Sequence, residues 1–454
     1  MNPNDIRTLF SRAMSDLYRT EVPQYGTLCD LVNQVNDAEL ARNSQLARSL
    51  RRGGQLDRLE VERHGAIRVG TAEELSTIRR LFALMGMMPV GYYDLSVAGV
   101  PVHATAFRPV NDASLDHNPF RVFTSLLRLE LISDVDLRER AQEILSRRKI
   151  FTARCLALLE QGEKQGGLGG EDAREFVSEL LQTFKWHQEA TVDLETFRRL
   201  RAAHALVADI VCFKGPHINH LTPRTLDIDL VQEGMSNAGL SAKEVIEGPP
   251  RREFPILLRQ TSFLALEEPI RFLGQSGDGT HTARFGEVEQ RGCALTRSGR
   301  ALYDDLLAKA RSTTAGSRPS SSALDIAFSE FPDDAKELFE RGLAFFRFEV
   351  AQARVSEEMP PTGASSQSLV AGGWLTLTPI TYEDFLPVSA AGIFRSNLGG
   401  EVRSGYESAG HQRDFESALG ATVIDEISLY EATQSASLAA CERRLKTECP
   451  AWSA

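Results

Sequence analysis

The order of predicted strands and helices between residues 64 and 131 restricts the fold more than any other feature of the sequence. Residues 64–70 are predicted to form a short strand, and the helix that follows has Thr71 as its N-cap. Three strand segments come next, at residues 89–95, 100–110 and 120–131. A strand, a helix and three more strands indicate a mixed α and β fold.

A similar order, with one strand fewer, is predicted after a stretch of helices at about 134–203. Its elements are a strand, a helix and two strands, at residues 208–213, 227–235, 256–266 and 281–291. We therefore expect an α+β fold whose core is a pair of βαβββ units, each of which carries a histidine near its first strand.

The rest of the chain is expected to surround this core. Residues 1–60 are predicted to be helical, and residues 61–310 to form the core with the helical insertion at 134–203. Residues 311–454 are expected to pack on the core and to close the active site. That last part has a Ser-, Gly- and Pro-rich connection followed by a helix, two strands and two helices, at residues 312–322, 324–345, 374–377, 385–393, 411–419 and 422–445.

Bulk composition narrows the class of partner. The net charge is −11, which argues against nucleic acid, because nucleic acid requires a basic face. The sequence has no apolar run long enough to cross a bilayer, and the first residues lack the apolar block of a secretory signal. Six scattered cysteines form no C-x-x-C pair. We expect a cytoplasmic protein without a membrane, nucleic-acid or protein partner.

Three side chains are candidates for a metal site. His64 opens the first unit, His220 lies at the matching place in the second, and Glu287 lies on its last strand. Two imidazoles and one carboxylate leave three positions open on an octahedral ion, an arrangement typical of Fe(II) sites that bind a chelating substrate and O₂. The alternative is that His217 and His220, which are three residues apart beside a proline, cap a turn or bind a surface carboxylate.

Further polar residues are expected around these three. Arg68 is four residues past His64, so both side chains share one face of a strand, and its guanidinium could bind a carboxylate. Arg259 interrupts an apolar strand and is a second candidate, although an ordinary ion pair explains it equally well. Glu289 is expected to support Glu287 from the same face. His217 and Asn219, which are close to His220 in the sequence, could orient ligands or water. Arg284 is expected to have a structural role.

Four long motifs identify the chain as similar to a known family. They are Glu62-Arg-His-Gly-Ala-Ile-Arg-Val-Gly70, Lys214-Gly-Pro-His-Ile-Asn-His-Leu-Thr-Pro-Arg224, His281-Thr-Ala-Arg-Phe-Gly-Glu-Val-Glu-Gln-Arg-Gly292 and Tyr382-Glu-Asp-Phe-Leu-Pro-Val-Ser-Ala-Ala-Gly392. They closely resemble the bacterial 2-oxoadipate dioxygenase/decarboxylase family, also called 2-hydroxyglutarate synthase. The likeness covers nearly the whole chain and is weakest at residues 312–372.

The resemblance implies a vicinal-oxygen-chelate-like core with large helical additions. It implies Fe(II) held by His64, His220 and Glu287, and substrate contacts by Arg68 and Val388. The implied reaction converts 2-oxoadipate and O₂ to 2-hydroxyglutarate and CO₂, a step in lysine breakdown. Two alternatives stay open: a metal-dependent isomerase or lyase that acts on a small 2-oxo acid, and a binding protein with a metal and no turnover.

Overall fold

The computed structural model describes residues 1–264, 266–274, 278–282, 284–312, 320–352, 354, 361, 363–386 and 408–448. Its helices are α1 Pro3–Glu21, α2 Pro23–Arg42, α3 Ser44–Arg52, α4 Arg58–Val61, α5 Ala72–Ala83, α6 Asp112–His117, α7 Val135–Arg147, α8 Ala153–Gln165, α9 Gly170–Phe184, α10 Leu194–Ala203, α11 Ala205–Val211, α12 Ile228–Asn237, α13 Arg297–Ser312, α14 Ser321–Phe328, α15 Ala335–Glu340, α16 Ser366–Ala371, α17 Ser408–Leu419 and α18 Glu426–Glu448. Its strands are β1 Arg63–Val69, β2 Met88–Asp94, β3 Val102–Arg108, β4 Arg121–Leu127, β5 His220–Pro223, β6 Leu258–Ser262, β7 Glu267–Arg271, β8 Asp278–Thr282, β9 Glu287–Arg291, β10 Phe346–Val350 and β11 Leu375–Pro379. Short 3-10 turns lie at Ser96–Ala98 and Leu129–Leu131.

The chain divides into two compact units. The first consists of Met1–Glu247, Gln260–Gln290 and Asp384–Ile424. The second consists of Gly248–Arg259, Arg291–Glu383 and Asp425–Ala454. The candidate metal ligands all belong to the first unit.

The first unit is built on a five-stranded mixed sheet in the order β2-β3-β4-β1-β5. Strands β1 and β4 are parallel, whereas the other neighbours are antiparallel. The predicted strand, helix and three strands of the first motif are confirmed. Thr71 caps α5 by accepting a hydrogen bond from the backbone N–H of Glu74, and Gly99, at φ +80°, makes the turn between β2 and β3.

The second predicted unit differs from the expectation. Residues 208–213 were expected to form a strand, but 205–211 form α11, so the strand that carries the second histidine is β5. The expected single strand at 281–291 is wrong as well, because β8 ends at Thr282 and β9 begins at Glu287. Strand β5 joins the first sheet, while β6 pairs with β9 and β7 with β8.

The C-terminal predictions are confirmed in part. The long helix expected at 324–345 is wrong, because α14 ends before Pro332 and α15 ends before Gly342, whose φ is +63°. Strand β10, which follows, pairs antiparallel with β11 in the second unit. The connection expected at 312–322 lies outside the described residues between 313 and 319. The strand expected at 385–393 lies outside them from residue 387 onward.

Helix α1 forms one wall of the core of the first unit. Phe10, Met14 and Tyr18 recur at four-residue intervals, so they share one face of the helix, and all three are buried. They pack in one cluster with side chains of α5 and of the central strands β1 and β4. Within the described part of the chain, no helix combines the length and the apolar character that spanning a membrane requires.

Candidate metal centre

Antiparallel pairing of β1 with β5 brings two histidines to one face of the sheet. Ala66 lies opposite His220, and His64 lies opposite Thr222. Opposite residues of an antiparallel pair share a face, as do alternate residues of one strand. His64 and His220 therefore point to the same side, and their ring centroids are 5.4 Å apart.

Glu287, the first residue of β9, completes this group. Each of the three residues offers a ligand atom, and these atoms all lie within 4.8 Å of one another. Glu287 Oε1 is 3.0 Å from His64 Nε2 and 3.8 Å from His220 Nε2. All three side chains are buried. The structure thus brings together the three residues that were predicted as metal ligands.

The unsatisfied polar atoms of this group fit a bound cation. Both ring nitrogens of His220 and Oε2 of Glu287 make no hydrogen bond to any described residue, whereas the ring nitrogens of His64 lie 3.0 and 2.9 Å from carboxylate oxygens of Glu287 and Glu289. Buried polar atoms almost always have partners, so three such atoms in one cluster require an explanation. Two imidazoles and one carboxylate are the donor set of non-haem Fe(II) sites with open positions. The residues present therefore fit the metal that the sequence predicts.

Two residues that the sequence analysis did not single out orient Glu287. The hydroxyl of Thr222 donates to Oε1 at 3.0 Å, and Nε2 of Gln260 donates to the same oxygen at 2.7 Å. Oε1, the carboxylate oxygen nearest to both histidine rings, is thus held in place by two donors. Thr222 follows His220 by two residues and so shares its face of β5, which is a signal that the sequence does contain.

Glu289 supports His64 from the other side of the ring. Its Oε2 lies 2.9 Å from Nδ1 of His64, while Nε2 of the same ring faces Glu287. A carboxylate against the second nitrogen of a ligating histidine fixes the orientation of the ring and raises its basicity. The position agrees with the period of two that put Glu287 and Glu289 on one face of a strand.

Electrostatics also suits a cation. Burial lowers the pKa of His220 to about 4, so its imidazole is neutral at pH 7, the form that binds a metal. Burial alone would raise the pKa of Glu287, but the adjacent His220 and His64 outweigh it and lower the pKa. Burial opposes the charged form of His64, yet Glu289 and Glu287 raise its pKa above the ordinary value. The group thus presents an ionised carboxylate beside a neutral imidazole.

Arg68 lies in a second buried cluster, around Asp209. Arg68 Nη1 is 2.7 Å from Asp209 Oδ2, and His281 Nε2 is 2.8 Å from Oδ1. His217 Nε2 is 3.3 Å from the same oxygen and 3.2 Å from Nδ2 of Asn219. Burial would raise the pKa of Asp209, but His217 and Arg68 hold it well below its usual range. Asp209 was missed, although a single acid in the apolar run 205–213 was a visible signal.

Helix α1 connects the two chain segments that lead to His220 and Glu287. The hydroxyl of Tyr18 lies 2.9 Å from the carbonyl oxygen of Asn219 and 2.8 Å from that of Phe285. Asn219 immediately precedes His220, and Phe285 lies two residues before Glu287. The backbone N–H of Asn219 also donates to the carbonyl of Ala66 in β1. Tyr18 therefore fixes the spacing of both segments from the core side.

The motif that begins at Tyr382 supplies a wall of the site. The ring of Phe385 packs edge-on against His64 at 4.9 Å and contacts Phe123 at 5.4 Å. The preceding Asp384 accepts two hydrogen bonds from Arg108, at 2.7 and 2.9 Å. The ion pair holds the chain in place where it reaches His64.

Three predicted residues remain. Val388 is outside the described residues. Arg259 belongs to the second unit, where its Nε donates to the carbonyl of Pro249 at 3.1 Å. Arg284 has the expected structural role, because it forms ion pairs with Glu268 and Glu21.

Comparison with known proteins identifies the relatives of this chain. A family model described as 2-oxoadipate dioxygenase/decarboxylase matches residues 10–397. A 2-oxoadipate dioxygenase/decarboxylase of Escherichia coli (strain K12) is 57% identical over 439 residues, which are 96% of this chain and 98% of the relative. One of Pseudomonas putida is 54% identical over an alignment of 456 positions, which covers 98% of this chain and 98% of the relative.

A solved structure agrees with these relatives. The crystal structure of the hydroxyglutarate synthase from Pseudomonas putida in complex with 2-oxoadipate matches with a TM-score of 0.91 and 53% identity. The match covers 98% of this chain and 99% of that one. The chain therefore belongs to the 2-oxoadipate dioxygenase/decarboxylase family.

Proposed function

We propose that this protein is an Fe(II)-dependent enzyme that converts 2-oxoadipate and O₂ to 2-hydroxyglutarate and CO₂, with the iron held by His64, His220 and Glu287. The observation that carries the proposal is the buried group of two imidazoles and one carboxylate with unsatisfied donor atoms. Relatives at 54 and 57% identity are named for this activity, and the Pseudomonas putida structure contains 2-oxoadipate.

The proposed reaction balances without another reactant. The bond between the carboxyl carbon and the keto carbon of 2-oxoadipate breaks, and the carboxyl group leaves as CO₂. One oxygen atom of O₂ enters the new carboxylate, and the other becomes the hydroxyl on the carbon next to it. Iron with three protein ligands would supply the redox chemistry and open positions for this reaction. A step in lysine breakdown is the pathway we propose for it.

The protein contributes orientation and exclusion of water. Arg68 lies four residues beyond His64 on β1, on the same face of the strand, and is buried, so its guanidinium is suited to hold a substrate carboxylate. Positioning a substrate in this way aligns the reacting C–H bond. We propose a second substrate contact at Val388. Supporting roles are proposed for His217, Asn219, Arg259 and Glu289, of which Glu289 has the clearest basis in its contact with His64.

Three broader expectations belong to the same proposal. The core is proposed to be vicinal-oxygen-chelate-like, for which the strand, helix and three strands of residues 63–127 are the support. The C-terminal part is proposed to close the site, and Phe385 against His64 supports this. A cytoplasmic location is proposed, since the five described cysteines, all buried, are free of disulfides, as is usual in a reducing compartment.

Turnover measured with reconstituted enzyme tests the proposal. The purified protein is loaded anaerobically with Fe(II) and then exposed to O₂ with 2-oxoadipate, 2-oxoglutarate or 2-oxopimelate, and O₂ uptake, CO₂ and the hydroxy acid are measured. We expect equal amounts of all three with 2-oxoadipate. His64→Ala should abolish uptake, whereas His117→Ala, which removes a half-exposed histidine, should not. Product formation without O₂ uptake would support an isomerase or lyase instead, and binding without turnover a non-catalytic protein.

A further inference from the structure

Asp209 is a buried carboxylate with three cationic or hydrogen-bonding partners from separate elements. It lies on α11, whereas Arg68 is on β1, His281 is on β8, and His217 precedes β5. Arg68 Nη1 contacts Oδ2 at 2.7 Å, and the two histidines contact Oδ1 at 2.8 and 3.3 Å. Each carboxylate oxygen therefore has its own partners, and Asp209 has little freedom to rotate.

Aromatic packing fixes the histidines that hold Asp209. The indole of Trp186 stacks on the His281 ring at 6.0 Å with an interplanar angle of 5°, and it meets His217 edge-on at 4.7 Å. Phe213 lies 4.8 Å from His281 on a further side. A side chain whose supports are themselves packed keeps one geometry, which is what a binding group requires.

The spacing along β1 bears on which part of a substrate Arg68 can reach. His64 and Arg68 share one face of β1, and Cα atoms four residues apart on a strand are separated by about 13 Å. A 2-oxo acid that binds the metal through its keto end would extend its remote carboxylate toward Arg68. The five N–H donors of a guanidinium allow it to serve a protein carboxylate and a substrate carboxylate together.

From this geometry we propose that Asp209 is a positioning residue that holds Arg68 for the remote carboxylate of the substrate and so sets the preference for dicarboxylic over monocarboxylic 2-oxo acids. The inference rests on the proposed function, because it presupposes a 2-oxo dicarboxylic acid. The negative charge of Asp209 offsets that of Arg68, so its contribution is orientation and not attraction. Removal of a purely electrostatic partner would strengthen the binding of every anion, whereas loss of a positioning group should weaken the binding of the dicarboxylic acid alone.

The test compares two ligands that differ only at the remote end. Binding of 2-oxoadipate and of 2-oxohexanoate to the Fe(II)-loaded enzyme is measured by calorimetry without O₂, for the wild type, Asp209→Ala, Arg68→Ala and the double variant. We expect the wild type to prefer 2-oxoadipate, and Asp209→Ala to lose at least about tenfold of that preference. The double variant should lose no more than Arg68→Ala does, because both changes remove the same interaction.

Two further variants keep the result interpretable. Asp209→Asn preserves the shape of the side chain and serves if Asp209→Ala does not fold; it should show an intermediate preference. Asp94→Asn is the matched control, since the side chain of Asp94 is only 6% exposed and contacts a histidine and an arginine, His411 at 2.8 Å and Arg128 at 3.6 Å. It lies on β2, three strands from β1, and should leave the preference unchanged.

The results that would overturn the role of Asp209 differ from those that would overturn the proposed function. Equal weakening of both ligands in the Asp209 variants, an unchanged ratio, or additive losses in the double variant would overturn the role of Asp209. A wild type with no preference between the ligands would do the same. Failure of the wild-type enzyme to consume O₂ with 2-oxoadipate, despite tight and selective binding, would contradict the proposed function while leaving the binding role of Asp209 intact.

Discussion

Gln260 Nε2 donates a hydrogen bond of 2.7 Å to Oε1 of Glu287, and the two side chains are buried on paired strands. With Thr222 on the same oxygen, this bond leaves only Oε2 of Glu287 without a hydrogen bond to a described residue. The carboxylate is thereby held in one orientation before any ion arrives.

Removal of the Gln260 amide should weaken metal binding. We expect Gln260→Leu to raise the metal Kd about 10- to 100-fold, the usual cost of losing a group that orients a metal ligand. Titration of the metal-free protein with Co(II), followed by its visible absorption, measures this directly. Gln182→Leu changes an exposed glutamine on α9 and should leave the Kd unchanged. A Gln260→Leu protein with wild-type affinity would show that Glu287 needs no such support.

Metal binding should stabilise the fold. A ligand present at 1,000 times its Kd adds about 4 kcal/mol to the free energy of unfolding if the unfolded chain does not bind it. Thermal unfolding of the metal-free protein should therefore shift upward on anaerobic addition of Fe(II), and a chelator should reverse the shift. Glu287→Ala should abolish the shift, and His117→Ala should retain it. An identical shift in both variants would place the ion elsewhere.

The buried ion pair between Arg108 and Asp384 should be costly to break. Both side chains are almost fully buried and are joined by two hydrogen bonds. Arg108→Ala removes the arginine from a buried carboxylate and should lower the free energy of unfolding by about 3–5 kcal/mol, as measured with urea. The partly exposed Arg80, paired with Glu163, provides the control: Arg80→Ala should cost less than about 1 kcal/mol. Comparable losses would contradict the role of burial.

The fold should become less stable as the pH falls, because His103 is buried in its neutral form. Burial, together with the charge of Arg128, lowers the pKa of His103 to about 4, whereas an unfolded histidine titrates near about 6.5. Between these values the unfolded chain binds more protons, so stability decreases as pH falls from about 6.5 to 4, by at most about 3 kcal/mol. Urea unfolding of His103→Gln should show a smaller pH dependence across this window. His117→Gln should follow the wild type, and parallel curves for all three would refute the assignment.

The three candidate metal ligands could be predicted because their information is local. His64, His220 and Glu287 lie in long motifs, and the period of two along a strand was enough to put Arg68 with His64 and Glu289 with Glu287. Their convergence depends on the register of β1 with β5, which the sequence does not contain in readable form. The pairing of Ala66 with His220 is a tertiary fact.

The misses have physical reasons. The segment 208–213 is mostly apolar and contains β-branched residues, a composition that does not distinguish a short strand from a buried helix. In the structure His204 caps α11 by accepting a hydrogen bond from the N–H of Leu206. Asp209 could not be recognised from the sequence as the centre of a cluster, because its partners lie up to 141 residues away along the chain. The break before β9 occurs at Gly286, where a side chain would collide with the ring of Phe263.

Gln260 could not be found from the sequence for a related reason. Its neighbour Arg259 drew attention because a charge in an apolar strand is conspicuous, whereas a neutral amide is not. Adjacent residues of a strand point to opposite faces, so Arg259 and Gln260 lie on different faces of β6, and Gln260 is the one that contacts Glu287.

The hydroxyl of Tyr18 imposes an order of events on the assembly of this enzyme. Its hydrogen bond to Phe285 spans 267 residues, so the first helix must await more than half of the polypeptide before its contacts are complete. Contacts between residues so far apart slow folding, because closing the loop between them costs entropy. A nascent chain released before Glu287 has emerged would carry both histidines but lack the carboxylate that completes their group.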